Sequence, residues 1–181
     1  MSDERKPDRP GQIGLKWWAS HARPTDDTGA AKRTRAELRR VASPVDAVSI
    51  EAVHALEAGF AGAGHSLRRQ PARLMLLAVA LGHVKEHKRG HRAALAFGEP
   101  VGERRRLGAI RFEALIRATD PNDLLRPLVR ALVVVDGRVD VAVLADDLFH
   151  WTDGTRASWC FDYYGAPSAA PDETRSMETP R

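Results

Sequence analysis

The stretch from Pro71 to His87 carries Leu74, Leu77, Ala78 and Leu81 within an almost unbroken apolar run. Wound as a helix, it is apolar around most of its circumference. Such a helix must be enclosed by other elements instead of lying on a surface. No apolar run in the chain reaches the length that crosses a bilayer. The segment therefore predicts a central helix over 71–87, and the rest of the chain must supply the helices that wrap it.

Those helices are readable from their spacing. Ile13, Trp17 and Trp18 open an amphipathic segment, and Gly29 to Val41 sets Ala31, Ala36 and Leu38 among basic residues. Ser43-Pro44 stops that helix or restarts the chain. Ile50, Val53, Leu56 and Phe60 recur at helical spacing over 49–60. The small residues from Gly59 to Gly64 predict a loop. A basic segment, a short helix and a turn at Gly98-Glu99-Pro100 fill 88–102. Residues 103–118 place Ala109, Phe112, Leu115 and Ile116 on one face. Asp120 before Pro121 is a helix start, with a capping side chain followed by proline at the first helical position. The apolar segment 124–135 ends at Gly137. Its Val133-Val134-Val135 run suits a strand by propensity, but its flanks favour helix. Asp140 caps a helix bearing Val141, Leu144, Leu148 and Trp151, and a last helix carries Trp159 and Tyr163. Strand-like alternation is nearly absent. The expected fold is all-α, a compact bundle of about eight or nine helices over residues 13–165. Residues 1–12 and 166–181, rich in proline and charge, are expected to be disordered.

The 181 residues carry a formal net charge of +4, but the charge is unevenly spread. Residues 1–135 hold 24 Lys and Arg against 15 Asp and Glu, whereas 136–181 hold 4 against 9. A basic body with an acidic end points to an anionic partner. Nucleic acid, an acidic protein and an anionic membrane all satisfy that charge. The opening MSDERKPDRP has no apolar stretch of the kind a secretory signal needs. The single cysteine, Cys160, cannot form an intrachain disulfide. Both features lead to the expectation of a cytoplasmic protein.

Two motifs could carry chemistry. His83-Val84-Lys85-Glu86-His87 matches H-x-x-E-H, in which two imidazoles one helical turn apart hold zinc and the glutamate activates water. Lys85, Lys88 and Arg89 crowd it with positive charge, and nothing later in the chain advertises a further ligand. The reading preferred is a solvated basic helix end, with a metal-dependent hydrolase using His83, Glu86 and His87 as the alternative; no metal or other cofactor is expected. Trp17 and Trp18 could stack on bases. Adjacent aromatics cannot share one helical direction, so at most one is expected fully inward, with core or subunit contact the favoured role for both. Gly59–Gly64 lacks the Gly-Lys-Ser/Thr ending of a phosphate loop.

Taken in order, a set of landmarks resembles the CasB family, the small subunit of the type I-E CRISPR Cascade complex. They run from Leu15-Lys16-Trp17-Trp18 through Arg35-Ala36-Glu37-Leu38-Arg39-Arg40 to Arg111-Phe112-Glu113-Ala114-Leu115-Ile116-Arg117-Ala118. Asp123-Leu124-Leu125 with Arg126 and Arg130, Val139-Asp140-Val141 to Trp151, and Trp159 to Tyr164 complete the series. The resemblance implies a non-catalytic subunit present in two copies. It implies as partners other Cascade subunits, guide RNA and target DNA including the displaced strand, and no membrane. With it, the arginines are expected to bind nucleic-acid backbone without sequence preference: Arg39, Arg40, Arg68, Arg111, Arg117, Arg126 and Arg130. Guanidinium forks suit phosphate oxygens. Arg126 and Arg130, four apart, share a helix face. Arg111 and Arg117, six apart, sit about 240° from one another, and Arg111 could equally be a structural ion-pair partner. A helical adaptor whose basic face meets an acidic protein is the blander alternative. Pro127 departs from the family pattern and is expected to move its helix start to Arg126.

Overall fold

The computed structural model describes residues 7–25 and 29–166. Among them are ten helices: α1 (Pro10–His21), α2 (Gly29–Leu38), α3 (Pro44–Val48), α4 (Glu51–Gly62), α5 (Pro71–Gly82), α6 (Ala93–Gly98), α7 (Ala109–Arg117), α8 (Pro121–Val134), α9 (Val141–Phe149) and α10 (Asp153–Tyr164). Four two-residue strands join them. β1 (Glu86–His87) pairs in parallel with β4 (Arg138–Val139), and β2 (Pro100–Val101) pairs antiparallel with β3 (Arg104–Arg105). The fold is all-α, as the spacing predicts. The helix beyond the expected nine is α3, started by a capping box in which Ser43 and Asp46 each accept the other's backbone N–H. No helix among the described residues is long and apolar enough to cross a membrane.

α5 is the central helix. Every residue from Leu74 to Gly82 is buried, and α1, α2, α3, α4, α8 and α9 all pack on it. It ends at Gly82, five residues short of the expected His87. The backbone donors just beyond are taken by another strand: Lys85 N and Glu86 N both bond the Gly137 carbonyl, at 2.9 and 3.2 Å. Gly137, with φ of 62°, lies so close to His83 and Lys85 that a Cβ would overlap their backbone. The parallel β1–β4 bridge thus ends the helix.

Further boundaries differ from expectation. α7 begins at Ala109 instead of 103, because Arg104–Arg105 pairs with Pro100–Val101 as β3. α1 begins at Pro10, inside the stretch expected to be disordered, because proline suits the first helical position. The rest of the expected disorder, over residues 1–6 and 167–181, lies outside the described residues. α4 continues through Gly59, where a loop is expected, and packs there against α1 so closely that a Cβ on Gly59 would come within 3.0 Å of Ile13 Cγ2. α8 runs unbroken through Pro127 from its Asp120 cap, so its start is not Arg126. Pro127 withholds the N–H that would bond the carbonyl of Asp123, an exposed residue in the first turn.

Trp17 and Trp18 are both 4% exposed, contrary to the expectation that only one could face inward. α1 is covered on two sides. Trp17 Nε1 donates to the Ala52 carbonyl of α4 at 2.6 Å, and Trp18 Nε1 to the Val84 carbonyl after α5 at 3.0 Å. Ala109, expected on the apolar face of α7, is exposed. That helix buries Phe112, which stacks on Tyr163 at 3.8 Å, and Leu115.

Candidate nucleic-acid interface

The end of α2, the outer face of α5 and the first half of α8 enclose a groove of about 270 Å³. α5 contributes Met75 and Val79, one helical turn apart, and His83, the residue that follows α5, continues their spacing. α8 contributes Asn122, Leu125, Arg126, Val129 and Arg130, and the turn after α2 adds Arg39. The floor is apolar and the rim is cationic. Among the described residues no Asp or Glu lines it. Arg130 also borders a second cleft, of about 340 Å³, with Leu107, Arg111, Ala114 and Pro127. Among the described residues this cleft too has no acid in its lining. Arg39, Arg126, Arg130 and Arg111 thus form one band across the turn after α2, α8 and α7. All four are exposed, and none of their guanidinium groups has a hydrogen bond or ion pair among the described residues. Exposed cations without carboxylate partners keep their full attraction for an external anion. Arg111 is therefore not the ion-pair partner that the sequence left open.

The other three predicted arginines lie apart from this band. Arg40 borders a different hollow, shared with Arg33, Glu37, Asp46 and Glu51. There the Asp46 carboxyl is held below its usual range by the backbone N–H of Ala42 and the Ser43 hydroxyl. Arg68 is exposed in the connection between α4 and α5 and lines neither groove of the band. Arg117, in the last turn of α7, stands 3.4 Å from Glu113 with 81% of its side chain exposed. Arg35, in the same sequence motif as Arg39, is structural: its Nη1 donates to the carbonyls of Ala22 and Arg23 at the end of α1.

The H-x-x-E-H residues do not share a helix, since α5 stops before them and Glu86–His87 is β1. His83 Nδ1 faces the Val79 carbonyl at 2.8 Å. Glu86 pairs with Arg138 across the β1–β4 bridge at 3.3 Å. His87 Nδ1 accepts the Val141 N–H at the start of α9 at 3.1 Å. Among the described residues no three His, Cys, Asp or Glu side chains come together as a metal site. The reading of a solvated helix end also needs correction for His83, which is half-buried in the groove wall. Burial pushes its imidazole below the usual histidine value, and the nearby Arg39 charge pushes in the same direction. His83 and Asn122 are the groove residues that sequence reading missed. The spacing of Met75, Val79 and His83 was the available signal.

The family model for CRISPR-associated protein Cse2 matches residues 34–164, from within α2 to the end of α10. A CRISPR-associated protein Cse2 from Thermus thermophilus is 35% identical over 71 residues. That alignment covers 38% of this chain and 41% of the relative, so it spans about two-fifths of the relative's length. No solved structure matches the chain.

Proposed function

The chain belongs to the CRISPR-associated Cse2 family, the CasB small subunit of type I-E Cascade, and from that premise we propose that it grips nucleic-acid backbone without cutting it. In this reading it joins the other subunits of an RNA-guided complex, with a second copy of itself beside it. Guide RNA reads the target by base pairing. Exchanging a DNA duplex for an RNA–DNA hybrid and a free strand is close to energetic balance. A modest contact to the displaced strand therefore shifts the outcome. Arginines supply such a contact through Coulomb attraction and counterion release, independent of sequence.

One observation carries the proposal: four exposed arginines from α7, α8 and the turn after α2, unpaired among the described residues, border two adjoining grooves whose described linings hold no carboxylate. A set kept only for solubility has no reason to converge. A reconstituted complex, assembled with and without this chain, tests it. The displaced strand is probed by permanganate while R-loop lifetime is followed at rising salt. Omitting the chain is expected to shorten the lifetime and expose the strand. Equal lifetimes and equal reactivity would remove the proposed role.

A further inference from the structure

Resting on that backbone-binding reading, we propose that the groove between α2, α5 and α8 is a subsite for one unstacked nucleotide. Its phosphate lies on Arg39, Arg126 and Arg130, its base on the apolar floor, and the base edge at His83 and Asn122.

A track that held phosphates alone would need cations and no floor. Here the cations stand around buried Met75, Val79 and Leu125, with half-buried Val129 beside them. The groove, about 270 Å³, falls just below the usual range of small-ligand sites, which starts near ~300 Å³. A single planar ring system bound to a phosphate combines the two chemistries that the groove presents. Single-stranded nucleic acid offers it, because unstacked bases can be splayed into pockets, whereas paired bases in a duplex cannot.

The polar groups in the groove lining, half-buried His83 and exposed Asn122, distinguish a base from the other occupant that suits a basic rim, an acidic protein segment with an apolar anchor. His83 Nδ1 is committed to the Val79 carbonyl, which leaves Nε2 as an acceptor in the neutral ring. Asn122 donates from its amide nitrogen to Asp120 at 2.9 Å and keeps its amide oxygen. An aliphatic anchor seated there would cover both acceptors and give them no donor, which is costly. A base edge brings N–H groups to them.

The test uses the full chain and two fluorescent single strands of equal length, one intact and one abasic throughout. Both carry the same phosphates, so both should show the same salt slope. The intact strand is expected to bind about fivefold tighter or more, the contribution of a seated base. Val129→Met, which fills the groove without changing charge, should close most of that gap and leave the slope alone. Equal affinity for the two strands would overturn the subsite and leave the backbone reading standing. Binding to neither strand would overturn both. Displacement of the intact strand by a glutamate-rich peptide bearing one leucine, under conditions where a nucleoside monophosphate fails, would assign the groove to an acidic protein and also overturn the subsite.

Discussion

Replacing Arg39, Arg126 and Arg130 together with alanine removes three cations from one groove and breaks no side-chain hydrogen bond or ion pair among the described residues. Folding should therefore be nearly unaffected, since surface changes of this kind usually stay within about ±0.5 kcal/mol each. Binding should change in a specific way. Each phosphate neutralised on a single strand contributes about −0.7 to the slope of log affinity against log salt. Three lost contacts reduce the slope by about 2 units. Between 50 and 200 mM salt that amounts to roughly 1.3 decades. The affinity gap between wild type and variant should thus shrink by about twentyfold across this range. Anisotropy titration of a labelled single strand at several salt concentrations measures it, with thermal melting of the same samples alongside. Arg68→Ala combined with Arg117→Ala is the matched control, because these two lie outside the band, and its slope should stay nearer wild type. An unchanged slope in the triple variant would refute the reasoning. So would a melting temperature several degrees lower, which would make these arginines structural.

Two further predictions concern the scaffold behind the groove. Burial raises the Asp147 carboxyl above its usual value, despite the 2.7 Å bond from Trp159 Nε1; the folded state then holds that proton more tightly than the unfolded chain, so this group's contribution is best in acid and falls as pH rises from 3.8 through the folded value. Asp147→Asn, which keeps an acceptor for Trp159, should melt at or above wild type at pH 7 and lose that acid-side slope, whereas Asp147→Leu should cost about 1–3 kcal/mol by orphaning the indole N–H. Gly98→Ala should destabilise by about 1–3 kcal/mol in chemical denaturation, because its Cβ would overlap the Tyr163 carbonyl that Arg105 Nη1 bonds at 2.7 Å; wild-type stability would contradict the close α6–α10 contact.

The helices were legible where their own residues dictate them. Asp120 with Pro121, and Asp140 before Val141, are caps whose side chains bond the first backbone donors wherever the helix sits. α5 was legible as central because a helix apolar on all sides has no other place to go. The boundaries that differ are those set by a distant partner. α5 stops because residues from 137 onward bond the chain after it. α4 continues past Gly59 because α1 closes onto that glycine. Both tryptophans of α1 are buried because two different elements accept their N–H groups. None of these partners adjoins its target in sequence, so local periodicity could not name them.

The same division explains the site. Which residues could meet a phosphate was legible, because guanidinium chemistry travels with the residue type. Which of them act together depends on packing. Arg39 and Arg40 are neighbours in sequence, yet one faces a hollow without acids among the described residues and the other a hollow lined by Glu37, Asp46 and Glu51. Arg39 and Arg130 are far apart in sequence and border one groove. Pro127 sharpens the case. As a sequence departure it pointed to a displaced helix. In the structure it sits inside α8 between Arg126 and Arg130 and lines the second cleft beneath Arg111. With its ring in place of an N–H it withholds one donor from a first-turn carbonyl, without moving the α8 cap. Arg126 and Arg130 consequently keep the four-residue spacing that aims both at the groove. Had α8 begun at Arg126, that residue would lie at the frayed start of the helix, and the band would lose the fixed member between Arg39 and Arg130.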